Sequence, residues 1–400
     1  MPLARPRSTA PGRGSPGSCS SCGARSPPCS PGVPSAGATE SSAFRLPLGR
    51  PQRATRPSGT ACPGPWPGVL PPRVLLRTVT TSLTTPPTTP SGLGTSVPRW
   101  VAPTLVANVV AQVGIVVTGG LVRLTGSGLG CPTWPQCAPG SYTPTIEQAE
   151  GYHKYIEFGN RLLTFALTVI AIACVYAAVK YLRRRHLTVA AWLVLGGVAL
   201  QAVIGGITVL TSLHPVTVSV HFLVSMMLVT AASYLWFARN EPSAPRHWLV
   251  PTMLGRLAWV TAAVGAVVIA LGTVVTGSGP HSGDAEAPAR YGFDPRQVSW
   301  LHADAVMLFV GLVIGMWVAT HLVARAGRFA DRDVPGVWRD LVLLTAAQGL
   351  IGYVQYFSGL PELLVLMHML GASLLAVLLT RALVTMRTSR PTADALPATE

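Results

Sequence analysis

Lysine is almost missing from this 400-residue chain: Lys154 and Lys180 are the only two. Charged residues of all kinds make up 11% of the sequence, against 49% hydrophobic. That is about half the charge of an ordinary soluble domain, and it argues against a chain wrapped in solvated charge. Acids are scarcer still, 15 against 30 basic residues. In the first 99 residues, Glu40 is the single acid beside 11 arginines and 20 prolines. This stretch has too few large apolar residues to build a core. The net charge of +15 comes mostly from this leader. Without aromatic interleaving or a folded basic face, it does not point to nucleic acid. No methionine occurs between Met1 and Met226, and no cysteine follows Cys174.

The leader, residues 1–99, is Arg-rich, Ser-rich and acid-poor, as mitochondrial transit peptides are. The lysine bias of a GC-rich genome gives the plainer reading, in which translation starts at a valine codon near Val74, Val79 or Val97. Cys19-Ser20-Ser21-Cys22 has a zinc-like spacing, but no second pair or histidine accompanies it.

What the chain has in abundance is long apolar runs. Windows near 101–122, 157–179, 188–211, 217–238, 252–276, 301–324, 338–357 and 362–386 reach the ~20 residues that cross a bilayer. Two stretches match at a constant offset of 147 residues: Gln201, Ile204, Gly205, Leu213, His221, Leu223 and Leu228 recur as Gln348, Ile351, Gly352, Leu360, His368, Leu370 and Leu375. Thr125-Gly126-Ser127-Gly128 is echoed by Thr276-Gly277-Ser278-Gly279. The expected fold is therefore all-α and integral to a membrane. Its eight transmembrane helices form two tandem four-helix bundles, residues 100–240 and 250–386, related by a pseudo-twofold axis along the membrane normal. A tail, 387–400, follows. Lys180 with Arg183, Arg184 and Arg185, then Arg239 and Arg246, Arg325, Arg328 and Arg332, and Arg387 and Arg390 follow the even-numbered spans. By the positive-inside rule these loops and both termini are cytoplasmic.

Orientation sorts the histidines. His186, His247 and His321 fall among arginines at cytoplasmic ends and read as solvated or interfacial. His153, His214 and His281 lie in or beside the outer loops, 123–156 and 277–300, without a clear role. His221, His302 and His368 each lie a few residues into a span that starts at the outer face, at a common depth of roughly 5–10 Å. An intramembrane imidazole is costly, and its recurrence at one depth suits axial ligation of a haem iron. Where symmetry calls for a fourth histidine, span two has Asn160. Glu157, three residues earlier on the same face, could instead pair with Arg161 at i+4. Cys131 and Cys137 lie on the oxidising side, where a disulfide is favoured over a metal site. Cys174 reads as a small hydrophobe.

The chain resembles the haem A synthase family in Gly119-Gly120-Leu121-Val122-Arg123-Leu124-Thr125-Gly126-Ser127-Gly128, in the Cys131–Cys137 loop with Trp134-Pro135, in Ile156-Glu157-Phe158, and in the three span histidines. That resemblance implies a membrane oxidoreductase converting haem O to haem A for cytochrome oxidase assembly, by stepwise oxidation of a ring methyl group to formyl. It implies haem b as cofactor on His302 and His368, haem O as substrate at His221, Glu157 as the catalytic acid, and a Cys131–Cys137 disulfide. A haem O synthase and an unidentified electron donor or acceptor are the implied partners, besides membrane lipid; the oligomeric state is left open. The implied location is a bacterial plasma membrane, with the mitochondrial inner membrane as alternative. Two departures stand out. Asn160 replaces the expected histidine, leaving His221 alone or with another residue such as His153, and the second outer loop has no cysteine for a second disulfide. A di-haem, cytochrome b-like carrier acting on quinone would also explain paired histidines, though not the cysteine loop or Glu157. A duplicated-bundle transporter would bind no haem.

Overall fold

A computed structural model describes residues 97–388, save 242–245, 282, 285–287, 328, 330 and 331. The leader to residue 96, with its Cys19–Cys22 pair, and the tail beyond Thr388 lie outside the described residues. Each apolar window is helical: α1 Val101–Leu124, α2 His153–Ala177, α3 Arg185–Leu210, α4 Pro215–Phe237, α5 Thr252–Ser278, α6 Pro295–Arg325, α7 Val334–Phe357 and α8 Glu362–Thr385. α2 runs on through a π-helical turn, Ala178–Leu182. Proline starts α4 and α6, where its missing N–H is no loss, and Asp294 caps α6 through the Arg296 amide.

Seven of these helices are long and apolar enough to cross a membrane. Only 22–33% of each most apolar window is buried inside the protein, so these helices turn most of their apolar surface outward. Phe165, Val169, Leu193 and Leu343 are among the large side chains left exposed, an arrangement that suits lipid and not water. α7 is the exception, because Arg339, Asp340, Gln348 and Gln355 interrupt it. It is nonetheless as long as α8 and packs on both α6 and α8. The turn Ser358–Pro361 sends the chain straight back, so α7 and α8 run antiparallel. The molecule is an all-α, multi-pass membrane protein.

Helix neighbours repeat in the two sets of four. α1 and α3 each pack on α2 and α4; α5 and α7 each pack on α6 and α8. α4 also contacts α5 and α8, and α1 contacts α8. The α3–α4 and α7–α8 turns match atom for atom in their closing bond. Leu213 N–H donates to Thr208 O at 2.8 Å and Leu360 N–H to Gln355 O at 2.7 Å. Both leucines take positive φ, 55° and 62°, and Gly359 occupies the left-handed position that Ser212 fills in the first set.

The two largest clusters of buried side chains lie toward the arginine-rich end. Leu105, Leu187, Val194 and Leu235 centre one, and Phe309, Met316, Trp338 and Leu341 the other. A smaller cluster, with Val116, Met226, Val229 and Ala376, joins α1, α4 and α8 between them. At the opposite end the long loops fold back onto the helix starts that carry the histidines.

Candidate functional site

His221, His302 and His368 stand six or seven residues into α4, α6 and α8, and Asn160 stands seven residues into α2. All four thus lie about 9–11 Å along their helices from the loop end. Each imidazole rests on a glycine of the preceding helix. A Cβ on Gly205 would come 3.2 Å from the His221 ring, one on Gly272 3.5 Å from His302, and one on Gly352 3.6 Å from His368. Glycine at these places lets a helix backbone approach the ring, which fixes the ring plane by contact. Among the described residues the Nδ1 atoms of His221 and His368 are buried without a hydrogen-bond partner, while the His302 ring lies within reach of the Val268 backbone. Such an atom costs about 1–3 kcal/mol if nothing else engages the ring.

α6 and α8 face each other across α5 and α7, and His302 and His368 lie close enough to interact electrostatically. The donor set is two imidazoles from facing helices, each backed by a glycine. This fits axial ligation of a haem iron. In the other set α4 brings His221, while Asn160 on α2 accepts a 2.7 Å hydrogen bond from Thr118 Oγ1 on α1. An amide so engaged is a poor substitute for an imidazole. His153, the other candidate for this set, starts α2 about 10 Å before Asn160. Its Nδ1 is 2.8 Å from Ser127 Oγ, so it braces the root of the first loop.

That loop closes over α2 and α3. Cys131 and Cys137 form a disulfide, and both are fully buried. Glu157, 6% exposed, accepts a 2.7 Å hydrogen bond from Cys131 N–H on Oε2. Its Oε1 pairs with Arg161 at 2.5 Å. The i+4 pair left open by the sequence is therefore formed, but it does more than tie two neighbours on a helix. The Arg161 guanidinium also donates to the carbonyls of Cys131, Thr133 and Gln136, holding the disulfide ring from beneath. Lys154, 4% exposed, donates to the carbonyls of Thr145 and Ile146 farther along the loop. Trp134 lies directly on Gly206 of α3, next to the glycine that faces His221.

Sequence reasoning paired Arg161 with Glu157 but missed its hold on the loop carbonyls, and it missed Lys154 and Tyr291. Tyr291 Oη donates to Pro215 O at 3.1 Å and lies 3.0 Å from Ser219 Oγ, so the second loop reaches α4 two residues before His221. Nothing in the spacing of these residues marks them, because their partners are carbonyls of distant loops. The glycines were visible as part of the repeat at Gly205 and Gly352, though not as seats for the rings.

The site is thus a helical membrane protein's set of buried imidazoles at one level, with a disulfide loop anchored on a buried carboxylate beside the one on α4. The chain's similarities agree. The COX15-CtaA family model, described as cytochrome oxidase assembly protein, matches residues 102–281. Heme A synthase from Geobacillus thermodenitrificans is 33% identical over 123 residues, 30% of this chain and 37% of that protein. Heme A synthase from Geobacillus kaustophilus is 31% identical over 133 residues, 33% of this chain and 40% of that protein. The resemblance to the haem A synthase family read from the sequence is borne out, over well under half the length of these relatives. The family match spans Glu157, Asn160, His221 and the disulfide, and ends before His302 and His368.

Proposed function

We propose that this protein is a haem A synthase, oxidising a ring methyl group of haem O to formyl through an alcohol. The observation that carries the reading is the joint between the Cys131–Cys137 loop and Glu157, set above the helix level that holds His221. A quinone-linked cytochrome b does not call for that joint, and a transporter would bind no haem. On this reading the helix neighbours form two tandem four-helix bundles about a pseudo-twofold axis along the membrane normal. The N-terminal one takes haem O and the C-terminal one holds haem b.

His302 and His368 would hold haem b, which supplies one-electron relay chemistry when bound. His221 orients the substrate from one side, and with Asn160 turned to Thr118 the opposite side lacks a second strong protein ligand. An open face suits an exchangeable substrate better than a permanent relay. Glu157, one turn from Asn160 on the same face, presents a carboxylate whose position is fixed by Arg161 and the Cys131 amide. It can hold a proton or accept a hydrogen bond from a hydroxyl at the ring edge, while Trp134 and the loop exclude water. The arginine distribution supports cytoplasmic termini in a bacterial plasma membrane, with a haem O synthase as supplier. Pigment extraction after incubating the purified protein with haem O tests the function: haem A should accumulate, and its absence from protein that binds both haems would refute the assignment.

A further inference from the structure

The end of the molecule opposite the histidines carries a second set of unmatched polar groups. Tyr234, in the last turn of α4, has the His186 ring edge-on at 6.1 Å and the Arg246 guanidinium over its face at 5.2 Å. Arg387 lies within electrostatic reach of both Tyr234 and Arg246, and stacks on Trp248 at 3.9 Å. Arg184 also acts on His186. Among the described residues the acid here is Glu241, which acts on His186 and is paired with Arg332 at 2.5 Å. Among the described residues, Arg246 Nη2 and His186 Nε2 are buried and have no hydrogen-bond partner. Three arginines and an imidazole thus converge where the described residues supply one acid, already paired with Arg332, and like charges so close repel unless an anion joins them.

We propose that this cluster binds the phosphate headgroup of an anionic phospholipid, with Arg246 and Arg387 as the principal contacts and His186 as a further donor. Lipid is favoured over a free anion by what surrounds the cluster. Trp248 and Trp259 lie against Arg387, Trp259 being 51% exposed, and tryptophans of this kind mark the headgroup level. The cluster also gathers the ends of α4 and α8 and the start of α5, where the two sets of helices meet. The strands His247–Trp248 and Arg387–Thr388 pair there, antiparallel. A bound headgroup would tie the connection between the two sets to the inner face of the membrane. The site lies at the other end of the helices from the proposed haem level and does not depend on that reading.

The test is native mass spectrometry of the intact protein released from nanodiscs of phosphatidylcholine with phosphatidylglycerol, alongside titration with inorganic phosphate. Phosphatidylglycerol should be retained in preference to phosphatidylcholine and should resist millimolar phosphate. Each arginine near an anionic surface is worth roughly fivefold in affinity, so Arg246→Gln should lose about fivefold and Arg246→Gln with Arg387→Gln about twenty- to thirtyfold. Arg325→Gln, an exposed arginine on the same end of α6, should retain the lipid. Should the double variant fail to fold, Arg246→Gln decides alone, since no protein hydrogen bond depends on the Nη2 it removes. Equal retention of the two lipids, unchanged retention in Arg246→Gln, or displacement by phosphate at equal concentration would overturn the proposal.

Discussion

Both oxygens of Glu157 are spoken for, one by the Cys131 amide and one by Arg161, so a substitution there touches the loop as well as any chemistry. Glu157→Gln keeps the shape and removes the charge. On the proposed function it abolishes haem A formation while leaving the C-terminal haem spectrum intact; a normal haem A yield from well-expressed protein would remove Glu157 from the mechanism. Asn160→Ala should be milder, because its side chain already serves Thr118. Arg161 holds three loop carbonyls in addition to the carboxylate. Arg161→Ala should lower stability by roughly 2–3 kcal/mol, after allowing for its partial exposure. It should also speed chymotrypsin cleavage after Tyr142 in the 131–148 loop, a readout that a purely electrostatic role at Glu157 would not move.

Between helices, the deciding contacts are glycine against imidazole. Gly352 leaves the His368 ring at ordinary contact distance from a would-be Cβ, and the larger branches of valine would overlap it. Gly352→Val should therefore displace the ring and diminish the low-spin absorption of a bis-imidazole haem, as His302→Ala and His368→Ala should abolish it. Full retention of that signal in both alanine variants would disprove the pairing. Gly205→Val should act on the other set, weakening binding of added haem O without touching the low-spin signal, since Gly205 faces only His221 among the three.

Across the whole molecule, one arginine bridges the two sets of helices at the loop end. Arg123 closes α1, yet its guanidinium donates to His281 O at 2.5 Å and Thr276 O at 3.1 Å, the second at the carbonyl end of α5. The Gly128 amide reaches Gly283 O at 3.0 Å alongside it. Two hydrogen bonds from a charged donor suggest about 2–3 kcal/mol, so Arg123→Ala should lower the unfolding midpoint measurably by circular dichroism in detergent. Reporter fusions after Arg185 and after Gly140 should fall on opposite sides of the membrane; the same side for both would overturn the assigned orientation.

Eight apolar runs, a repeat at fixed offset and arginines at alternate ends were enough to set the helix number, their limits to within a few residues, and the level of the histidines. These follow from short-range causes, since an apolar run of about 20 residues in lipid must satisfy its own backbone and becomes a helix. The pairing of Cys131 with Cys137 was legible too, because they are near neighbours on one side. Which groups meet across the fold was not. Arg161 and Lys154 satisfy loop carbonyls, Tyr291 reaches α4 from the far loop, and Gly272 seats His302, each through contacts that no periodicity records. α7, interrupted by polar and charged residues, falls short as a span by composition; its place is decided by the tight turn into α8 and by packing on α6 and α8. Tertiary structure decided these because a buried donor must find an acceptor wherever the packed chain leaves one, and that place is set by the neighbouring helix and not by distance along the sequence.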